Sequence, residues 1–280
     1  MLLQVNHLSI RFRLGGGVVS NPVRDVSFAI PAGARTAIVG ESGSGKSLTA
    51  LALGGLVDRA EISGEILGSP RIAYIFQNPL QSLNPVMKIG AQLDEAGASD
   101  LKAVGLDESM RKKYPCQLSG GQQQRVMIAM AIAQRPDLLI ADEPTTALDV
   151  TTQKEVLELI DEIAAARKMA VLLITHNLGL VSRHADFVNV MYAGEIVESG
   201  KVREVLDTPV HPYTRSLLAA VPRLDRPRDA ELEDIPGVVP PPTCWPTGCA
   251  FHPRCRLADA DCAIKPRPGC IKRAPQSLFY

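Results

Sequence analysis

Aromatic side chains and surplus charge are both scarce in this sequence. Phe, Tyr and Trp together make up only 4% of it, with a single Trp. Leu, Ile, Val and Ala must therefore build the core. The hydrophobic share of 46% over 280 residues suffices for one large domain with an appendage, or for two modest domains. Lys plus Arg and Asp plus Glu number 30 each. With no basic excess a nucleic-acid enzyme is disfavoured, and no nucleic-acid partner is expected. No apolar run reaches the roughly 18–20 residues that span a bilayer. The start, MLLQVNHLSI, lacks the basic opening and long apolar stretch of a signal peptide. The expectation is a chain that stays in the cytosol and meets a membrane only through partners. Internal repeats are absent as well.

Short apolar runs alternate with helical patterns up to about residue 221. Strands are expected at Arg35–Gly40, Ile72–Phe76, Leu138–Ala141, Ala170–Thr175 and Phe187–Met191, and helices at Lys46–Gly55, Gly121–Arg135 and Thr152–Lys168. That alternation predicts an α/β fold with a parallel sheet covered on both faces. The N-terminal stretch and the pair Val188–Ala193 and Glu195–Glu198 read as antiparallel strands. Residues 79–135 break the rhythm and read as an inserted helical subdomain. Seven prolines between Pro222 and Pro246 mark an extended linker. The two expected units are therefore 1–221 and 222–280.

Gly40-Glu41-Ser42-Gly43-Ser44-Gly45-Lys46-Ser47 fits G-x-x-x-x-G-K-[ST] between an apolar run and a helical one. Its glycines let the backbone curl so that several N–H groups face one anion, and the helix adds its positive end. Lys46 is expected on the β- and γ-phosphates and Ser47 on Mg²⁺. Leu138–Glu143 is an apolar strand ending in two carboxylates: Asp142 for the metal, Glu143 as general base toward water. Gln77 ends another strand, where it can bond metal or water. His176 ends a third, within reach of the γ-phosphate. Leu118-Ser119-Gly120-Gly121-Gln122 opens a helix as a second anion cradle. One chain needs only one such cradle, so the second makes sense facing a nucleotide held by another subunit. Asp149 in Ala147-Leu148-Asp149 would then lie at the dimer seam.

In this order the motifs resemble the ATP-binding subunits of ATP-binding-cassette (ABC) transporters over residues 1–221. The resemblance implies a P-loop ATPase with a RecA-like parallel-sheet core, an N-terminal antiparallel part and an inserted helical subdomain. It makes Gln77 the Q-loop, Leu118–Gln122 the signature acting in trans, Asp149 part of the D-loop and His176 the switch histidine. It also puts Phe12 on adenine, although an aromatic in a first strand is commonly core. ATP and Mg²⁺ are the implied cofactors. The implied partners are a second ABC ATPase, commonly a paralogue, two transmembrane permeases and an extracytoplasmic binding protein, with this chain at the cytoplasmic membrane face. Phe76-Gln77-Asn78-Pro79, Ser82-Leu83-Asn84-Pro85, His211–Arg215 and the tail from Ile235 to Cys255 resemble the oligopeptide/dipeptide/nickel importer subgroup. Its cargo is a peptide, nickel or a metal chelate. Only 40 residues separate Gln77 from Leu118, short for that subgroup, which implies a trimmed helical subdomain. A soluble ABC-type ATPase in a non-transport process is the alternative.

Five of six cysteines fall within the last 37 residues, which in a reducing compartment suggests metal rather than disulfides. Cys249, Cys255, Cys262 and Cys270 are spaced by five, six and seven residues, unlike the C-x₂-C of a zinc ribbon or ferredoxin spacing. Spacing alone leaves a [4Fe–4S] cluster, Zn²⁺ (with His252 a substitute ligand) and free thiols all open. The resemblance favours the cluster. Cys116 and Cys244 read as bystanders, Cys116 as a small packed side chain.

Overall fold

In a computed structural model of the chain, residues 1–78, 82–98, 100–146, 148–221, 234–265 and 270 are described. Among these described residues, nine strands form two sheets. The larger runs in the order β5 (Ile72–Ile75), β6 (Leu138–Asp142), β7 (Ala170–Thr175), β3 (Arg35–Val39), β8 (Phe187–Tyr192) and β9 (Glu195–Lys201). Its first five strands are parallel, and β9 returns antiparallel to β8 through Gly194. Central strands of such a sheet are covered on both faces and read as unbroken apolar runs. Both β6 (LLIAD) and β7 (AVLLIT) are buried at every residue.

The smaller sheet is antiparallel, in the order β2 (Val19–Ile30), β1 (Leu3–Arg13), β4 (Glu61–Leu67). β1 alternates buried and open positions, with Leu3, Val5, Leu8 and Ile10 turned inward. At the edge, β4 is exposed along its whole length, Ile62 and Ile66 included, although they alternate with Glu61, Ser63 and Glu65.

Three large apolar clusters among the described residues fix these layers. One lies between the two sheets and carries α1 (Lys46–Leu53). A second joins the other face of the large sheet to α2 (Ile89–Glu95), α3 (Gly120–Ala133) and α4 (Val150–Arg167). The described part of the expected insert, 82–135, is indeed helical: α2, short 3₁₀ turns and α3. Residues 79–81 lie outside the described residues.

The third cluster gathers α5 (Leu178–His184), α6 (Val202–Asp207), α7 (Pro212–Ala219), β8 and β9. Ile235, Ala250 and Phe251 of the tail belong to this same cluster. The proline-rich stretch is thus followed by a segment that packs on the sheet domain and shares its core. Tyr192, Tyr213 and Phe251 meet ring to ring with centroids 4.6–5.3 Å apart. Few as they are, the aromatics concentrate where the tail docks.

Candidate active site

The carboxyl ends of the parallel strands converge on one cleft, which is where open α/β sheets bind ligands. β3 runs into the phosphate loop, β5 into Gln77, β6 into Asp142 and Glu143, and β7 into His176.

Backbone geometry explains the glycines of the loop. Gly40 has φ 153°, and a Cβ there would stand 2.1 Å from the Met191 carbonyl oxygen. Gly45 has φ 102°, and its Cβ would fall 2.6 Å from the Pro22 carbonyl oxygen. Both conformations and both approaches exclude a side chain. Lys46 folds back over the loop, with Nζ donating to the carbonyls of Gly40 and Glu41 at 2.8 Å each. Burial pulls its pKa down, while the carboxylates of Glu143, Asp142 and Glu41 act in the opposite direction.

Asp142 brings the phosphate loop and β6 together. Its carboxylate accepts from Ser47 Oγ at 3.0 Å and from Tyr74 Oη at 2.9 Å. Burial pushes its pKa up against those two donors. Ser47 and Asp142 could therefore share one Mg²⁺, as their residue types suggest.

Glu143 turns the other way because its backbone enters the left-handed region, φ 44°, a strained choice for a residue with a Cβ. Its N–H is anchored on the Ile174 carbonyl at 2.9 Å. One carboxylate oxygen accepts from Gln77 Nε2 at 3.0 Å and Thr146 Oγ1 at 2.9 Å; the other lies 3.1 Å from His176 Nδ1. Burial alone would raise the Glu143 pKa, but the bonds from His176 and Thr146 prevail and hold it below the usual glutamate range. The three residues expected to act on water thus meet at one carboxylate.

Leu118–Gln122 starts α3 through a reciprocal cap. Ser119 Oγ accepts from the Gln122 N–H at 3.3 Å, and Gln122 Oε1 accepts from the Ser119 N–H at 3.0 Å. Gly121 is required by packing: a Cβ there would come 2.5 Å from Thr152 Cγ2, and one on Gly120 would come 3.1 Å from Leu148. The signature therefore lies against the start of α4. Asp149 caps that helix, accepting from the Thr152 N–H at 3.0 Å and Oγ1 at 2.6 Å. Ala147 lies outside the described residues. Val150 beside it is 83% exposed. Phe12 is half-buried and packs on the cluster between the sheets.

The cysteines divide. Cys249, Cys255, Cys262 and Cys270 line one small apolar pocket together with His211 and Phe251. The Cys249 N–H bonds the Cys262 carbonyl at 2.9 Å, tying two of the loops. Burial raises the Cys249 thiol's pKa, and the neighbouring thiols of Cys255 and Cys262 raise it further. Among the described residues, no three His, Cys, Asp or Glu side chains stand as a metal-ligating group. Cys116 corrects an expectation. It is exposed rather than packed, because its 3₁₀ turn Pro115–Gln117 buries Pro115 and turns the cysteine outward. Cys244 is exposed as well.

Sequence reasoning missed Tyr74, Thr146, Tyr213 and Arg254. Tyr74 lies on β5, three residues before Gln77, which follows that strand, and Thr146 comes three after Glu143 on the same turn. Tyr213 and Arg254 were visible only as parts of subgroup-like stretches, with nothing to say what they touch.

Residues 23–146 match the family model for ABC transporters, and 197–262 match the oligopeptide/dipeptide transporter C-terminal region. The chain is 45% identical to the oligopeptide transport ATP-binding protein OppD of Salmonella typhimurium, covering 95% of this chain and 89% of OppD. It is 44% identical over 319 aligned positions to a Brucella abortus protein provisionally named for peptide import and ATP binding, covering 99% of this chain and 95% of the relative. With 280 residues here, at least 39 positions of that alignment have no counterpart in this chain. Among solved structures, the ATP-binding cassette MJ0796, a dimer in a post-hydrolysis state bound to ADP and Pi, superposes with a TM-score of 0.61 at 25% identity. That match covers 72% of this chain and 99% of MJ0796.

Proposed function

This chain belongs to the ABC transporter ATPases, in their oligopeptide/dipeptide branch, and on that premise we propose that it powers import of a peptide across a cytoplasmic membrane. The observation that carries the chemistry is the Glu143 carboxylate, held by Gln77, Thr146 and His176 beside an Asp142–Ser47 pair suited to Mg²⁺. Bound ATP would lie along Gly40–Ser47, with Lys46 leaving the loop carbonyls for the β- and γ-phosphates. Glu143, ionised at neutral pH, takes the proton of the attacking water, and His176 and Gln77 fix its direction. Phosphoryl transfer of this kind depends on positioning and charge stabilisation rather than covalent catalysis. Phe12 would face the adenine.

Leu118–Gln122 completes the site of a second ATPase subunit, with Asp149 and the exposed Val150 at the seam. The dimeric MJ0796 structure supports that reading. Permeases would dock in the apolar groove beside Gln77, lined by Leu56, Tyr74, Phe76, Leu83, Met127 and Met130. We assign the shortening relative to the Brucella protein to the helical insert along this groove. No described helix is long and apolar enough to cross a membrane; the permeases would hold this chain peripherally at the cytoplasmic face. An extracytoplasmic binding protein would select the cargo. The relatives' names favour peptide over nickel or a metal chelate. The tail from 222 onward is assigned as a separate functional extension of the 1–221 cassette.

The cysteine pocket fits a soft metal centre by its donors. Four cysteines line the same pocket as a buried His211 whose Nε2 has no partner. Nδ1 of that ring accepts the Tyr213 N–H at 3.1 Å, so in the neutral ring the proton sits on Nε2 and is offered to the pocket. Cys249, Cys255, Cys262 and Cys270 would hold a [4Fe–4S] cluster, with Zn²⁺ the competing occupant. A cluster would supply cross-linking of the tail and, in principle, one-electron chemistry.

Glu143→Gln tests the main reading. The expected result is a fall in ATP turnover of roughly 10²–10⁴-fold, with ATP still bound and the ATPase dimer held closed. Normal hydrolysis by this variant would remove Glu143 from the role of base.

A further inference from the structure

The phosphate loop is gripped from behind by one residue of the tail. Arg254, whose side chain is 7% exposed, stands next to Cys255 and makes a two-pronged contact with Glu41, the second residue of the loop. Its Nη1 donates to Glu41 Oε2 at 2.7 Å and its Nη2 to Oε1 at 3.3 Å. The same guanidinium donates to the carbonyls of Pro236 at 2.7 Å, Gly237 at 3.3 Å and Ile235 at 3.4 Å. Its carbon lies 5.8 Å from the centre of the Tyr192 ring. Such a planar, fully donating fork is something only arginine supplies.

The rest of Glu41 is also engaged by protein. Its N–H donates to Tyr213 Oη at 2.8 Å, and its carbonyl receives Lys46 Nζ. None of its polar groups is left to meet a phosphate, so its part in the loop is to set backbone shape. Gly40, just before it, cannot do this itself, because it has no side chain to anchor.

We propose that Arg254 is a positioning residue of the nucleotide site, fixing the phosphate loop through Glu41, so that ATP affinity depends on a residue of the cysteine-rich tail. The proposal rests on reading Gly40–Ser47 as the ATP site. A purely structural Arg254 would hold the tail down and leave ATP affinity alone.

The two roles separate in the full-length chain by measuring KM and kcat for ATP together with binding of a fluorescent ATP analogue. Arg254→Ala is expected to raise KM and the analogue's Kd about tenfold, with a much smaller change in kcat. Arg254→Lys should recover part of the loss, since it keeps the charge but not the fork. Adding Glu41→Gln to Arg254→Ala should bring little further rise, because both remove one interaction. Native KM and Kd in a folded Arg254→Ala chain would overturn the proposal. If that variant loses its tail packing, Glu41→Gln alone decides: a raised KM supports the proposal and a native one overturns it. A wild-type chain that binds no ATP analogue would instead sink the nucleotide-site reading.

Discussion

The nucleotide site and the cysteine pocket are both small clusters of titratable groups, built in opposite ways. In the first, each chemical residue stands at the end of a buried parallel strand, and the side chains already bond one another: Ser47 to Asp142, and Gln77, Thr146 and His176 to Glu143. In the second, the residues come from loops and 3₁₀ turns. No ligating group of three is closed among the described residues, and the His211 Nε2 has no partner. A sheet preorganises its site without a ligand, whereas a loop-built pocket of this kind takes its geometry from what it binds.

The largest expected effect tests that contrast directly. Replacing Cys249 and Cys255 together by Ser should abolish retention of iron and sulfide, or of zinc, measured as metal per chain after anaerobic reconstitution. The tail beyond residue 221 should then become the first site of limited proteolysis. If the double variant retains a full complement of metal, or if wild type never takes any, the pocket is an ordinary packed loop and the contrast collapses.

A second effect sets the neutral His211 against acid. Burial lowers its pKa to about 4 from an ordinary 6.5. Because the folded value is the lower one, its stabilisation is complete above the unfolded pKa near 6.5 and is lost as pH falls from there through about 4. The loss amounts to roughly 3 kcal/mol. His211→Asn keeps an acceptor for the Tyr213 N–H that caps α7 but cannot titrate. Its unfolding midpoint should vary less between pH 7 and 4 than that of wild type. An identical slope would assign the acid sensitivity elsewhere.

How much of each region was legible follows from the same contrast. The phosphate loop, Asp142, Glu143, Gln77 and His176 could be proposed from sequence because each follows an apolar run, and a strand end fixes a side chain's place. Those strands were also located to within a residue at each end. β4 escaped although Ile62 and Ile66 alternate with Glu61, Ser63 and Glu65, because the run is short, interrupted by Gly64 and followed by no motif. The four tail cysteines could be grouped by density in the chain, but their packing against His211 and β8 could not. A loop's course depends on distant partners such as Tyr192 and Glu41. Arg254 escaped for that reason: its main partner lies more than 200 positions earlier in the chain.

The smallest expected effect probes how much the nucleotide site owes to a residue outside its motifs. Tyr74 donates its hydroxyl to Asp142 at 2.9 Å, beside the Ser47 bond. Burial and the adjacent carboxylate raise the Tyr74 pKa far above the physiological range, so the phenol remains a donor at every working pH. Its hydrogen bond would steady the Asp142 carboxylate for Mg²⁺. Tyr74→Phe keeps the ring against Phe76, whose centroid is 4.5 Å away, and removes only the hydrogen bond. A bond of this kind is worth about 1 kcal/mol, or roughly a fivefold change in the Mg²⁺ concentration that supports half-maximal ATPase. The change should be an increase, with turnover at saturating Mg²⁺ close to wild type. An unchanged requirement would mean that Ser47 and β6 orient Asp142 unaided, and the preorganisation of the metal position would then lie in residues its sequence motifs already name.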